Sequence, residues 1–169
     1  NKTVGILSII ILLCFGAYKA SADSGLYAGV SYTQLDYSEP GVDLDFTTVG
    51  FVGGYNLSSA FAIELRGAKG QSDDSAYGVG VEVDKTMSVL GRFSLPNETN
   101  IIPYILGGFS KVWVAADGGY KDDGGDYSYG LGLAFSLTDS FAVSAEYMVM
   151  YDKDDVEVNG ASLMATYTF

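Results

Sequence analysis

The sequence contains no histidine, three prolines and one cysteine among its 169 residues. Histidine is the usual general base near neutral pH, so its absence argues against an enzyme, and we expect no cofactor and no metal centre. A lone cysteine cannot form an intrachain disulfide, so the fold needs another source of stability. Acidic residues outnumber basic ones by 21 to 9, which excludes nucleic acid as a partner.

The first 22 residues differ from the rest of the chain. Lys2 precedes an apolar run over 4–15, and an A-x-A cleavage motif follows at 20–22. This order predicts a cleavable signal peptide over 1–22. The alternative, a membrane-spanning helix, would need about 20 apolar residues, and this run is shorter. Cys14 lies in this segment after the large Leu13, which argues against lipidation.

Removal of the signal peptide takes away Lys2, Lys19 and Cys14. The mature chain over 23–169 then has seven Lys and Arg against 21 Asp and Glu, a net charge of −14. The whole sequence is rich in glycine (22), tyrosine (13) and phenylalanine (9), a composition that favours β structure. We therefore expect a single exported β domain.

Alternation of large apolar with small or polar residues recurs along the mature chain. In YSYGLGLAFSL (127–137) the large residues occupy one face, and Ser, Gly and Ala occupy the other. A soluble sandwich, the alternative interpretation, would place charged residues on its outer face. The same period of two predicts eight strands. They are 26–34, 48–57, 61–69, 85–95, 102–116, 127–137, 141–151 and 156–169.

Short and long connections alternate between these strands. Three are short turns rich in Pro, Asn, Asp and Ser, and four are longer, acidic loops over 35–45, 70–80, 117–126 and 152–157. Unpaired backbone groups cost several kcal/mol in hydrocarbon, so strands cross a bilayer only in a closed sheet. The prediction is an all-β, eight-stranded antiparallel up-and-down transmembrane β-barrel, integral to the outer membrane with its long loops outside.

Aromatic residues are expected at both ends of the lipid-facing surface, where interfacial girdles form. The prediction places one set of aromatic residues at the end with the short turns and a second set at the end with the long loops. The first set is Tyr55, Phe61, Phe93, Tyr104, Phe135, Phe141 and Phe169, and the second is Tyr32, Trp113, Tyr127 and Tyr151.

Five stretches, in order, carry a family likeness. They are GGYNLSSAFAIELRG (53–67), SVLGRFSL (88–95), PYILGG (103–108), SAEYMVMY (144–151) and TYTF (166–169). The mature chain resembles the OmpA-like outer membrane β-barrel family, which implies an eight-stranded barrel in a Gram-negative bacterium. It also implies that Phe169, with Tyr167, is read by the barrel-assembly machinery. Because the chain stops at Phe169, we expect a small barrel-only member of the opacity or OmpX-like type, without a peptidoglycan-binding domain.

Few charged residues fall on the inward face of the predicted barrel. An eight-stranded lumen is just wide enough for side chains to fill it, and a buried charge there must be paired. We expect an ion-pair network that plugs the lumen, with a narrow conducting path as the alternative. Its predicted members are Glu64, Arg66, Arg92, Lys111 and Glu146.

The acidic loops offer oxygen ligands but lack the glycine of an EF-hand. Occasional cation contacts are one interpretation, and a solvated surface that resists aggregation is the favoured one. The residues concerned are Asp122, Asp123, Asp126, Asp152, Asp154 and Asp155. We expect a monomer with a structural or surface-interaction role, with an adhesin as a further alternative. Its expected partners are outer membrane lipids, lipopolysaccharide, periplasmic chaperones and the barrel-assembly machinery.

Overall fold

The computed structural model describes residues 25–71, 73–76, 79–116, 119–153 and 155–169, so the predicted signal peptide lies outside the described residues. Within these ranges, no helix is long and apolar enough to cross a membrane. The secondary structure consists of strands. They are β1 (Leu26–Glu39), β2 (Val42–Asn56), β3 (Phe61–Gly70), β4 (Asp73–Ala76), β5 (Val79–Ser94), β6 (Ile101–Ala116), β7 (Tyr120–Ser136), β8 (Phe141–Lys153) and β9 (Val156–Thr168).

The strands close into one antiparallel barrel. Neighbours in sequence pair around the wall, β1 pairs with β9, and β3 pairs with β5. The short β4 continues the line of β3 along β5, with its register displaced by one residue. β3 and β4 together occupy one position in the wall, which therefore has eight positions, and the predicted fold is confirmed.

The seam of the barrel lies between the first and last strands. Tyr32 is opposite Leu163 in this pairing, and the backbone N–H of Phe169 donates to the carbonyl of Leu26 at 3.0 Å. This pairing confirms the closed sheet that the sequence predicts. Hydrogen bonding from β1 round to β9 leaves no exposed sheet edge at this seam.

The two faces of the wall differ as the alternation predicts. Over the middle of each strand, large apolar side chains point outward and small or polar ones point inward. In β7, for example, Leu131 and Leu133 are exposed, whereas Ser128 and Ala134 are buried. Soluble monomers rarely expose a continuous apolar belt of this kind, which is typical of contact with lipid.

The four acidic connections predicted as long loops are largely strand. β1 and β2 stay paired until Glu39 lies opposite Val42, and Gly41 turns the chain with a φ of 88°. Similarly, β8 and β9 stay paired until Lys153 lies opposite Val156. We call these paired strand ends the ribbons. In the ribbons the apolar side chains point inward and the polar ones outward, since Leu44 is buried and its neighbours are exposed. Outside a membrane, water faces the outer surface and the polarity of the two faces exchanges.

The inward side chains at the base of the ribbons form an apolar cluster, here called the apolar cap. Sequence analysis missed it because most of its members lie in or beside segments taken for polar loops. Its side chains are all at least 94 % buried. They are Leu35, Leu44, Phe46, Val83, Val112, Met150 and Val158.

Two aromatic residues face inward, contrary to prediction. Tyr104 is buried because β6 presents its even-numbered residues to the lumen. Tyr151 packs against the interior cluster because the ladder between β8 and β9 shifts by one residue after Val149. A shift of one residue moves a side chain to the other face of a strand.

Candidate functional site

The charged residues of the lumen come from opposite sides of the wall. Glu64 and Arg66 lie on β3, two residues apart and therefore on the same face. Glu146 lies on β8, which is four positions away from β3 in either direction around the barrel. A contact between Arg66 and Glu146 therefore spans the full width of the lumen.

Arg66 makes that contact with both of its terminal nitrogens. Its Nη1 donates to Oε1 of Glu146 at 2.6 Å, and its Nη2 donates to Oε2 at 3.0 Å. On its own strand, Nε and Nη2 donate to Oε2 of Glu64 at 2.8 and 2.5 Å. The planar guanidinium therefore bridges two carboxylates, a geometry that lysine cannot reproduce.

Arg92 balances the charge of this cluster. Its Nη1 lies 3.4 Å from Oε1 of Glu64, and its guanidinium lies 3.8 Å from the centre of the Tyr104 ring. Two arginines thus face two glutamates, so the cluster carries no net charge. We call Glu64, Arg66, Arg92 and Glu146 the lumen network.

Two tyrosines donate hydrogen bonds to the lumen network, and sequence analysis did not find them. Tyr27 donates its hydroxyl to Oε1 of Glu64 at 2.6 Å, and Tyr104 donates its hydroxyl to Oε2 of Glu146 at 3.0 Å. Buried carboxylates need every oxygen satisfied, and these phenols supply donors that the arginines leave open. A sequence signal existed, since each tyrosine is opposite a glycine on the next strand.

Each tyrosine ring lies across its facing glycine. A Cβ at Gly54 would come within 2.2 Å of the Tyr27 ring, and a Cβ at Gly132 would come within 2.4 Å of the Tyr104 ring. These distances are far below van der Waals contact, so neither ring could keep its place beside a larger residue. The two glycines position the tyrosines against the carboxylates.

Gly132→Ala is expected to destabilise the barrel by about 1–3 kcal/mol, because the methyl group displaces Tyr104 from Glu146. Urea unfolding in lipid vesicles measures the change. Gly107→Ala is the matched control, because a Cβ there has nothing within 4 Å. Equal losses in the two variants would contradict the positioning role.

Lys111 does not join the lumen network, so the prediction that it faces inward is wrong. Its Nζ bonds to Oδ2 of Asp123 at 2.6 Å, and the two side chains are 41 % and 50 % exposed. Those of Arg66 and Glu146 are 13 % and 0 % exposed. Lys111 is an odd-numbered residue of β6, and the odd-numbered side chains in the middle of this strand point outward.

A cavity of about 30 Å³ lies inside the barrel and is bordered by residues of both the lumen network and the apolar cap. Arg66 borders it on one side, and Leu35 and Met150 border it on the other. Hydroxyl groups lining it include Ser31 and Thr48. This volume suits one or two water molecules and is too small for a continuous column. The lumen network and the apolar cap therefore both place side chains in the lumen beside this cavity.

The acidic residues of the ribbons do not assemble into a metal site in the part of the chain that the structure describes. Asp123 pairs with Lys111, and Asp126 accepts a hydrogen bond from the backbone N–H of Tyr127 at 2.8 Å. Asp152 and Asp155 are exposed to solvent. Asp154 and the side chain of Asp122 lie outside the described residues.

One pair of carboxylates lies directly across two strands of the first ribbon. Asp36 is opposite Asp45, and both are exposed. Desolvation raises the pKa of Asp36, and a hydrogen bond and repulsion from Asp45 raise it further. Carboxylates that face outward at this level require water or headgroups around them, so the hydrocarbon must end below them.

Comparison with known families agrees with this geometry. The model of the outer membrane protein beta-barrel domain matches residues 6–169. The chain belongs to this family. This outer membrane barrel is therefore an integral protein of the cell outer membrane, with its apolar belt in lipid.

Solved structures share the fold of this outer membrane barrel. The attachment invasion locus protein Ail of Yersinia pestis has a TM-score of 0.65 at 22 % identity, covering 86 % of this chain and 99 % of Ail. Neisserial surface protein A has a TM-score of 0.65 at 16 % identity, covering 86 % and 98 %. The N-terminal barrel of Pseudomonas aeruginosa OprF has a TM-score of 0.62 at 15 % identity, covering 87 % and 100 %. No curated protein sequence matches this chain significantly.

Proposed function

We propose that this protein is a closed structural barrel of the outer membrane, whose lumen is plugged by the lumen network. The observation that carries the proposal is the bridge from Glu64 through Arg66 to Glu146, which joins opposite walls. The apolar cap is a second barrier in series with it. Glu64 and Glu146 are engaged by arginines and tyrosines, so the proposal assigns them no catalysis.

Ion efflux from vesicles tests this proposal. Vesicles that contain the refolded protein are expected to retain potassium as long as protein-free vesicles do. A large open porin in the same vesicles provides the positive control. Rapid potassium loss from vesicles with the wild-type protein would favour the narrow-pore alternative.

The assembly role of Phe169 is part of the proposal. The Phe169 ring packs edge-on against Tyr167 with centroids 5.3 Å apart, on the outer face next to the seam. A signal read before insertion acts on the rate of assembly more than on the finished fold. Both residues are therefore proposed to serve as the assembly signal.

Deleting Phe169 is expected to lower outer membrane levels severalfold while changing the stability of refolded protein little. Immunoblots of membrane fractions and urea unfolding of refolded protein measure the two effects. Leu163→Ala, an outward truncation on the same strand, is the control. Near-normal membrane levels after deletion of Phe169 would contradict the proposed signal.

Recognition of a surface partner is a second candidate, favoured by the paired ribbons. Ordered ribbons present fixed carboxylates, such as Asp36, Asp45 and Glu157, to the outside. Ail has been crystallised with the heparin analogue sucrose octasulfate, a polyanion. The acidic ribbons here suit a cationic partner instead. Binding of intact barrels to immobilised polylysine but not to heparin would support this candidate, and the reverse would reject it.

A further inference from the structure

Three neighbouring strands carry a lysine where the outward apolar row ends. On β3 the outward row runs from Leu65 through Gly67 to Lys69, and on β5 it runs from Val89 through Met87 to Lys85. On β6, Lys111 follows Phe109. The equivalent region of β1 and β2 carries Gln34, Asp36 and Asp45 instead. Basic residues at this level are therefore concentrated on one side of an acidic barrel.

Two of the three lysines, Lys85 and Lys111, contact the only tryptophan of the chain, Trp113, and Lys69 lies beyond Lys85 in the same row of the sheet. The Nζ atoms of Lys85 and Lys111 each lie 4.9 Å from the centre of its ring. Tryptophan is enriched where hydrocarbon meets headgroups. Lys85 and its neighbours therefore lie at the depth of lipid headgroups.

Lys69 lies directly opposite Lys85 in the ladder between β3 and β5. Like charges in this relation repel, so an anion between or above them would stabilise the pair. Among the side chains that the structure describes, no carboxylate pairs with either lysine, whereas Lys111 is paired with Asp123. Of the three lysines, Lys69 and Lys85 are therefore the two that no described carboxylate neutralises.

A shallow notch lies directly below this pair. A Cβ at Gly67 would meet nothing within 4 Å, and Gly67 is flanked in the ladders by Phe51 and Met87. An acyl chain can lie in a notch between two large apolar side chains. An anionic head above an apolar tail is the chemistry of a phosphorylated lipid.

We propose that Lys69 and Lys85, with Trp113 beside Lys85, form a binding site for a phosphate group of an outer-leaflet glycolipid of the lipid A type. The phosphate bridges the two ammonium groups, and one acyl chain lies along Gly67. The site is independent of whether the lumen is open or closed.

Titration of diphosphoryl lipid A into phosphatidylcholine vesicles that hold the refolded barrel tests the site. Trp113 emission reports binding, because no other tryptophan contributes. The Lys69→Gln/Lys85→Gln variant is expected to bind about thirtyfold more weakly, since each lysine near an anionic lipid surface contributes roughly a factor of five. The Lys121→Gln/Lys153→Gln variant removes two charges elsewhere and is expected to bind as the wild type does.

Two further ligands separate the possible sources of the phosphate. Dephosphorylated lipid A and inorganic phosphate are both expected to leave Trp113 emission unchanged over the same concentration range. Saturable binding of either ligand as tight as that of diphosphoryl lipid A would overturn the proposal. Equal affinity of the wild type and the Lys69→Gln/Lys85→Gln variant would also overturn it.

Discussion

Replacing Glu64 with alanine is expected to lower the free energy of unfolding by about 3–5 kcal/mol, because the change leaves one buried arginine uncompensated. Arg66 would keep Glu146 as its partner, but Arg92 would lose its carboxylate. Tyr27 would lose the acceptor of its hydroxyl. Such a loss is large compared with the effect of most single substitutions.

Asp123→Asn is the matched control for this experiment, since it breaks the exposed ion pair with Lys111. Water screens that pair, so its loss is expected to cost less than about 1 kcal/mol. Urea unfolding of both variants in identical vesicles measures the difference. Comparable losses would mean that the lumen network is no more important to stability than a surface pair.

Opening only one of the two lumen barriers is expected to leave the barrel closed. If the lumen is plugged as proposed, an ion has to pass both the lumen network and the apolar cap, which border the small cavity from two sides. Phe46→Ala thins the apolar cap, and Glu64→Gln/Arg66→Ala thins the lumen network without changing its net charge. Single-channel recording is expected to show conductance only when all three substitutions are combined.

A second triple variant controls for lost stability in this experiment. Phe51→Ala removes an equal ring from the outer face, so combining it with Glu64→Gln/Arg66→Ala should leave the channel closed. Circular dichroism shows that each variant is folded before recording. Conductance in the Phe46→Ala variant alone would show that the apolar cap is the only barrier.

The architecture follows from the sequence because a period of two survives in nearly every strand. The sequence does not decide which face of β6 points outward, since IPYILGG (102–108) has large apolar residues at both odd-numbered and even-numbered positions. Choosing the wrong face for this strand predicted Tyr104 to point outward and Lys111 to point inward. The two errors have one cause, because a shift of one residue exchanges the two faces of a strand. The glycine opposite Tyr104 is the signal that could have decided the face.

The ribbons were misjudged for a different reason. In VDLDF (42–46) acidic residues alternate with apolar ones, and a polar outer face with an apolar inner face is typical of strands in water. Interpreting the aspartates as loop residues concealed the apolar cap. The point where the alternation reverses marks the membrane boundary and can be located in a sequence.

The residues of the lumen network could be predicted from the sequence, but the partners of each residue could not. Inward parity identifies Glu64, Arg66, Arg92 and Glu146, but the pairing of Arg66 with Glu146 depends on the stagger of strands around the barrel. That stagger results from the summed registers of all the ladders. A period of two within one strand contains no information about it.

The central claim is that the lumen is closed, and the conductance of the refolded wild-type protein in a planar bilayer tests it most directly. We predict a baseline current without steady steps, the same as that of the bilayer alone. Steady steps from the wild-type protein that vanish in Glu64→Ala would show that the lumen network is an ion path, and they would contradict the plug.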